Sequence, residues 1–165
     1  MLDFTTIENT LNRLDREYNA SITDSQLTLF YAKLSVIEFC GWIEDSIDEL
    51  LHNYINAHIL EAQNKTLIKR HIKKNNSFSY EDKIFPLISS VLGINIWENI
   101  LDTFPSADFA HFTSILTSYS PARNEVAHTY TKGMTPHYLA PSRVLGDYTN
   151  FKPAMQYLER EISHL

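Results

Sequence analysis

Arg123, Asn124 and His128 are the residues whose types and spacing suit chemistry in this chain. They lie in Ser120-Pro121-Ala122-Arg123-Asn124-Glu125-Val126-Ala127-His128-Thr129-Tyr130. An imidazole moves protons near neutral pH, and an adjacent guanidinium stabilises the charge of a phosphorane-like transition state. Together they fit cleavage of an RNA backbone by its own 2′-hydroxyl, without a metal ion. Asn124 stands four residues before His128, one helical step away, where its amide could hold the ring in one tautomer.

The local sequence suggests how these groups are presented. Ser120 as N-cap and Pro121 at the first helical position open a helix through about Thr131. Arg123 then falls in the first turn, where the partial positive charge of a helix N-terminus disfavours a cation unless an anion occupies the spot. Free backbone N–H groups and a guanidinium make a phosphate seat. On this reading Asn124, His128 and Thr131 form a polar stripe while Val126 and Ala127 face the core. The blander alternative is a surface Arg paired with an acid and a His satisfied at a helix end.

The elements that must position them read as helical almost throughout. Ile7, Leu11, Leu14 and Tyr18 recur at the steps of one amphipathic stripe. Thr23-Asp24-Ser25 supplies capping chemistry for the longest helical pattern, Gln26 to about Leu60, roughly 50 Å if unbroken, with Gly41 as its bend point. Its first half, Leu27 to Ile43, is apolar nearly all round, which predicts burial on two faces, centrally in a bundle or against a partner subunit. Further helices are expected over Lys65 to Lys74, Tyr80 to Leu92 with Pro86 bending or delaying it, Ile94 to Leu101, and Phe109 toward Tyr119 behind Ser106-Ala107-Asp108. Gly133 to Asn150 reads as irregular, and Pro153 as the start of a terminal helix to about His164. With no alternating strand pattern and no internal repeat, the expectation is a single all-α domain over 1–165.

Composition narrows the function classes. The 165 residues carry 14 Lys plus Arg against 20 Asp plus Glu, a net charge of −6, so bulk charge does not coat nucleic acid and any RNA role needs a local site. The four glycines form neither a dinucleotide nor a P-loop pattern. The start brings Asp3 at once and no apolar stretch reaches membrane-spanning length, which predicts a soluble, cytoplasmic protein without a membrane partner. The one cysteine, Cys40, sits in an apolar run and reads as core.

Other features have two readings each. Lys65, Lys69, Arg70, Lys73 and Lys74 could track an RNA backbone or simply form a solvated face. Asp48 and His52 are i, i+4, a usable ligand pair, but no second His stands at ligand spacing, so no metal and no cofactor are expected. Glu38, a carboxylate in an apolar run, either pairs with a buried Arg, Arg123 being the one suggested, or helps the site. Trp42 and Trp97 read as core or dimer anchors.

Arg123-Asn124-x-x-x-His128 resembles the R-x(4–6)-H signature of HEPN domains, whose second position is typically polar. Extended to Tyr130, R-x4-H-x-Y is similar to the form in HEPN toxins paired with a small nucleotidyltransferase antitoxin; RiboL-PSP-like HEPN domains are the other kind it resembles. The resemblance implies an antiparallel helical bundle forming a two-fold dimer, with two copies of the motif in one cleft. It implies metal-independent endoribonuclease activity carried by Arg123 and His128, with Asn124 as their polar neighbour. Tyr130 matches the position that the antitoxin modifies with AMP. RNA and a second copy are the implied partners, and a toxin or phage-defence role is the implied context. A catalytically inactive HEPN dimer that binds RNA, a nucleotide or a protein is the alternative.

Overall fold

The computed structural model describes residues 1–74, 77, 79–128 and 138–165. Among them there are seven α-helices and no strand, the all-α class that the periodicity predicts. In chain order these are α1 (Phe4–Ala20), α2 (Ser25–His58), α3 (Ala62–Lys73), α4 (Phe85–Leu92), α5 (Ile94–Thr103), α6 (Ser106–His128) and α7 (Pro141–Ser163). A single π-helical turn, Tyr80–Ile84, leads straight into α4.

The start signals work as their chemistry requires. The Asp3 side chain accepts from the Thr6 N–H to cap α1, and Asp24 accepts from the N–H groups of Gln26 and Leu27 to cap α2. From there α2 runs 34 residues through Gly41 as one helix. Gly93, at φ 95°, ends α4 and opens α5, a backbone conformation that favours glycine.

A short turn after α1 makes it the antiparallel neighbour of α2. Helices α1, α2, α6 and α7 form the bundle: α2 and α7 pack on each other, α1 lies against both, and α6 lies against both. Helices α3 and α4 attach to α2. Phe39 of α2 sits at the centre, edge-on to Tyr119 of α6 at 5.0 Å and to Phe151 of α7 at 5.9 Å. Aromatic pairs of this kind add about 0.5–1.5 kcal/mol each to the burial itself. Across the bundle the Lys152 ammonium meets Glu8 at 2.7 Å, and the Tyr148 hydroxyl donates to the Phe4 carbonyl.

Two expectations need correction. No new helix starts at Ser120: α6 is continuous from Ser106 to His128 with Pro121 in its interior. Proline lacks the donor for that turn, but Phe112, Ile115, Leu116 and Tyr119 before it and Val126 after it are all buried. Core packing on both sides holds the helix in line against a local cost of about 3 kcal/mol. Likewise α7 starts at Pro141 and passes through Gly146 and Pro153, so most of the segment read as irregular is helix. Within the single chain, the first half of α2 is buried on one side. Leu27, Phe30, Leu34 and Ile37 remain 40–46% exposed.

Candidate functional site

The last described turns of α6 carry Arg123, Asn124 and His128. Arg123 is half-buried, whereas Asn124 and His128 are exposed. From Arg123 to His128 the helix rises about 7.5 Å and turns about 140°, so the two side chains leave different faces of α6, and with no helix start at Ser120 Arg123 does not curl round to join the Asn124–His128 stripe. Because α6 does not begin at Ser120, Arg123 is an interior residue of the helix, well past its start at Ser106, and not part of a first turn. A cation carries no first-turn penalty there, so the misplaced-charge argument for a phosphate seat does not hold. Val126 is buried as expected; Ala127 is exposed, not turned to the core. Tyr130 and Thr131 lie outside the described residues.

Register on α2 selects the partner of Arg123. Val36, Phe39, Cys40 and Ile43 are buried, which fixes the face turned to α6 and α7. Glu44, one helical step beyond Cys40, falls at the edge of that face and accepts from Arg123 Nη2 at 3.0 Å. Glu38 points elsewhere: it is exposed and lines a groove of about 410 Å³ between α1 and α2 with Asp3, Ile37, Trp42, Asp45 and Glu49. The suggested pairing of Glu38 with Arg123 is therefore replaced by Glu44.

Glu44, Asp48 and His52 recur every four residues and continue one stripe of α2. Burial raises the Glu44 carboxyl above the usual range; Arg123 opposes this and Asp45 reinforces it. Its second oxygen, Oε1, is buried without a hydrogen-bond partner among the described residues. One turn on, burial together with Asp45 and Glu44 pushes Asp48 up to about 6. At the next turn burial lowers His52, with Lys69 of α3 acting in the same direction. The stripe thus begins at a guanidinium, crosses two crowded carboxylates and ends beside an ammonium.

Among the expected RNA contacts, the Lys65 ammonium donates to the Asn56 carbonyl near the end of α2. Lys69 turns partly toward His52, while Arg70, Lys73 and Lys74 are exposed. The five cations therefore do not form one open face. Among the described residues no three His, Cys, Asp or Glu side chains are grouped to hold a metal ion. Cys40 is fully buried, and burial pushes its thiol up to about 12, as suits a core residue. Trp97 is also core; Trp42 is half-buried and donates from Nε1 to the Asp3 carbonyl.

No single described helix is long and apolar enough to cross a membrane. No family model, no curated protein and no solved structure matches the chain.

Proposed function

We propose that the chain is a metal-independent endoribonuclease of the HEPN kind, with a toxin or phage-defence role. What supports the reading is that Arg123, Asn124 and His128 lie within two turns of one helix, with the guanidinium anchored by Glu44 yet still one-third exposed. An anchored guanidinium loses less side-chain freedom when it meets a phosphate. In the proposed reaction His128 takes the proton of a ribose 2′-hydroxyl, whose oxygen attacks the adjacent phosphorus. Arg123 stabilises the developing charge. The bond to the 5′-oxygen breaks and the imidazolium returns a proton to it, giving a 2′,3′-cyclic phosphate and a 5′-hydroxyl. Asn124 orients the ring, and the exposed Arg70, Lys73 and Lys74 extend the contact with RNA. A nucleotidyltransferase that modifies Tyr130 is the proposed antagonist.

The test is RNA cleavage in EDTA by the unaltered chain, His128→Ala and Arg123→Ala. Loss of the proton-transfer group is expected to cost about 10²–10⁴-fold. A fully active His128→Ala protein removes the mechanism.

The ion pair itself favours a second reading, an inactive HEPN module that binds RNA, a nucleotide or a protein. A phosphate must compete with Glu44 for Arg123, which suits reversible binding as well as catalysis. Intact RNA after incubation, with binding weakened by Arg123→Ala, selects it.

A further inference from the structure

The groove between α1 and α2 has an acidic rim, and no Lys or Arg side chain lines it. Its volume of about 410 Å³ is that of a small-molecule site and leaves no room for a docked helix, which is about 10 Å across. The α2 wall carries Glu38, Trp42, Asp45 and Glu49, at steps of four, three and four residues that share one face. Glu49 meets the N-terminal ammonium at 3.3 Å, and Asp3 on the α1 side caps its own helix. Glu38 and Asp45 are exposed and have no ion pair among the described residues.

Two features inside the groove call for an occupant. Ser46 lines it, is 4% exposed, and its hydroxyl makes no hydrogen bond among the described residues. The other buried serine of α2, Ser35, donates to the Ala32 carbonyl, as a serine within a helix ordinarily does. A nearly buried hydroxyl without such a bond takes its partner from the groove. Gly41 lies between Glu38 and Asp45 on the same wall, inside a helix, where glycine is less stable than alanine. The chain itself does not require it. Its φ is not positive, and a Cβ there would meet no atom within 4 Å. The missing side chain is open space in the groove, not room for the chain's own packing.

We infer that this groove binds a linear aliphatic polyamine, with one terminal ammonium at Glu38, the other at Asp45 and Ser46, and its methylenes over Ile37, Gly41 and Trp42. Length supports this ligand class. Glu38 and Asp45 are seven residues apart, a rise of about 10.5 Å. The terminal nitrogens of an extended triamine such as spermidine stand about 11 Å apart. Polarity supports it too, because ammonium groups at both ends and an apolar chain between them match carboxylates at both ends and an apolar floor between them. A compact divalent ion reaches one carboxylate at a time and leaves that floor in water. The inference does not rest on the ribonuclease reading, and RNA plays no part in its test.

Calorimetric titration of spermidine into the unaltered chain at low salt is expected to show saturable one-to-one binding. Tryptophan fluorescence should change with it, since the half-buried Trp42 lines the groove. Glu38→Gln combined with Asp45→Asn is expected to weaken binding about tenfold, the loss of two partly solvated ion pairs. Gly41→Leu is expected to keep its helical circular dichroism and to abolish binding by filling the groove. No saturable binding up to about 1 mM spermidine, unchanged affinity in the double variant, or full binding by a helical Gly41→Leu chain each overturns the proposal. So does displacement by an equal concentration of Mg²⁺, which marks mere screening of acids, or tighter binding of an oligolysine peptide, which marks a protein partner. Should Gly41→Leu lose helicity, the double variant still decides.

Discussion

Arg123 and Glu44 are 79 positions apart in the chain and meet at 3.0 Å across the α2–α6 contact. The pair fixes the guanidinium at the edge of the bundle without sealing it from water. It also sets up a competition, because any phosphate that reaches Arg123 displaces or shares a carboxylate whose burial already raises it above its usual range.

Glu44→Gln tests that competition. The amide keeps the shape and removes the negative charge, so RNA affinity at low salt is expected to rise several-fold in fluorescence anisotropy. The stability loss in urea is expected to stay below about 1 kcal/mol, since both partners are partly exposed. An unchanged affinity would mean that Arg123 is not the phosphate contact.

Asp48 gives a pH signature. Its folded-state pKa of about 6 lies above the ordinary carboxyl value, so the folded chain holds this proton more tightly than the unfolded one. The contribution is fully present below the unfolded value and is lost as pH rises through about 4 to 6. Asp48→Asn is therefore expected to stabilise the protein at pH 7 by about 1 kcal/mol, a figure discounted for its half-exposed position. The gain disappears toward pH 4 in urea titrations at matched pH. A gain that is equal at both pH values points to packing instead of charge.

The α6–α7 contact holds a charge-assisted hydrogen bond. The Tyr119 hydroxyl donates to Asp147 Oδ2 at 2.9 Å in the interior, and the exposed Arg143 donates to the same oxygen from Nε at 3.0 Å. Tyr119→Phe is expected to cost about 2 kcal/mol by chemical denaturation, because a buried carboxylate loses the interior one of its two donors. Arg143→Ala is expected to cost less than half as much. Equal losses would show that the salt bridge, not the hydroxyl, holds Asp147.

Pro121 distinguishes a helix interior from a helix start. Within a continuous α6, Pro121→Ala restores a backbone donor and should raise stability by about 1–2 kcal/mol, after allowance for the greater freedom of the unfolded chain. At a helix start the same change lowers stability. Thermal melts separate the two signs.

Much of the fold was legible because its helices follow plain rules. Ile7, Leu11 and Leu14 were periodic and are buried, and Asp24 caps α2 where capping chemistry was expected. The errors came from weighing breakers above period. Val144, Tyr148, Phe151, Met155, Leu158 and Ile162 alternate steps of four and three and are all buried, a signal visible across Gly146 and Pro153. At the site, the grouping of Arg123, Asn124 and His128 on one helix was readable, but its setting was not. Pro121 prefers a first turn locally, and only the burial of Tyr119 and Val126 on either side overrides it. Glu44 was missed because a cluster of acids reads as surface; counting from the buried Val36 and Cys40 would have turned Glu44 toward α6 and Glu38 away.

Cys40 gives the molecule an internal clock. Its sulfur is the sole thiol, enclosed where α2 meets the bundle, and can react with a disulfide reagent only after that enclosure opens. The labelling rate under native conditions therefore measures how often the bundle comes apart, without a dye or an engineered probe. Ligands that hold the helices together should slow it in proportion to their occupancy.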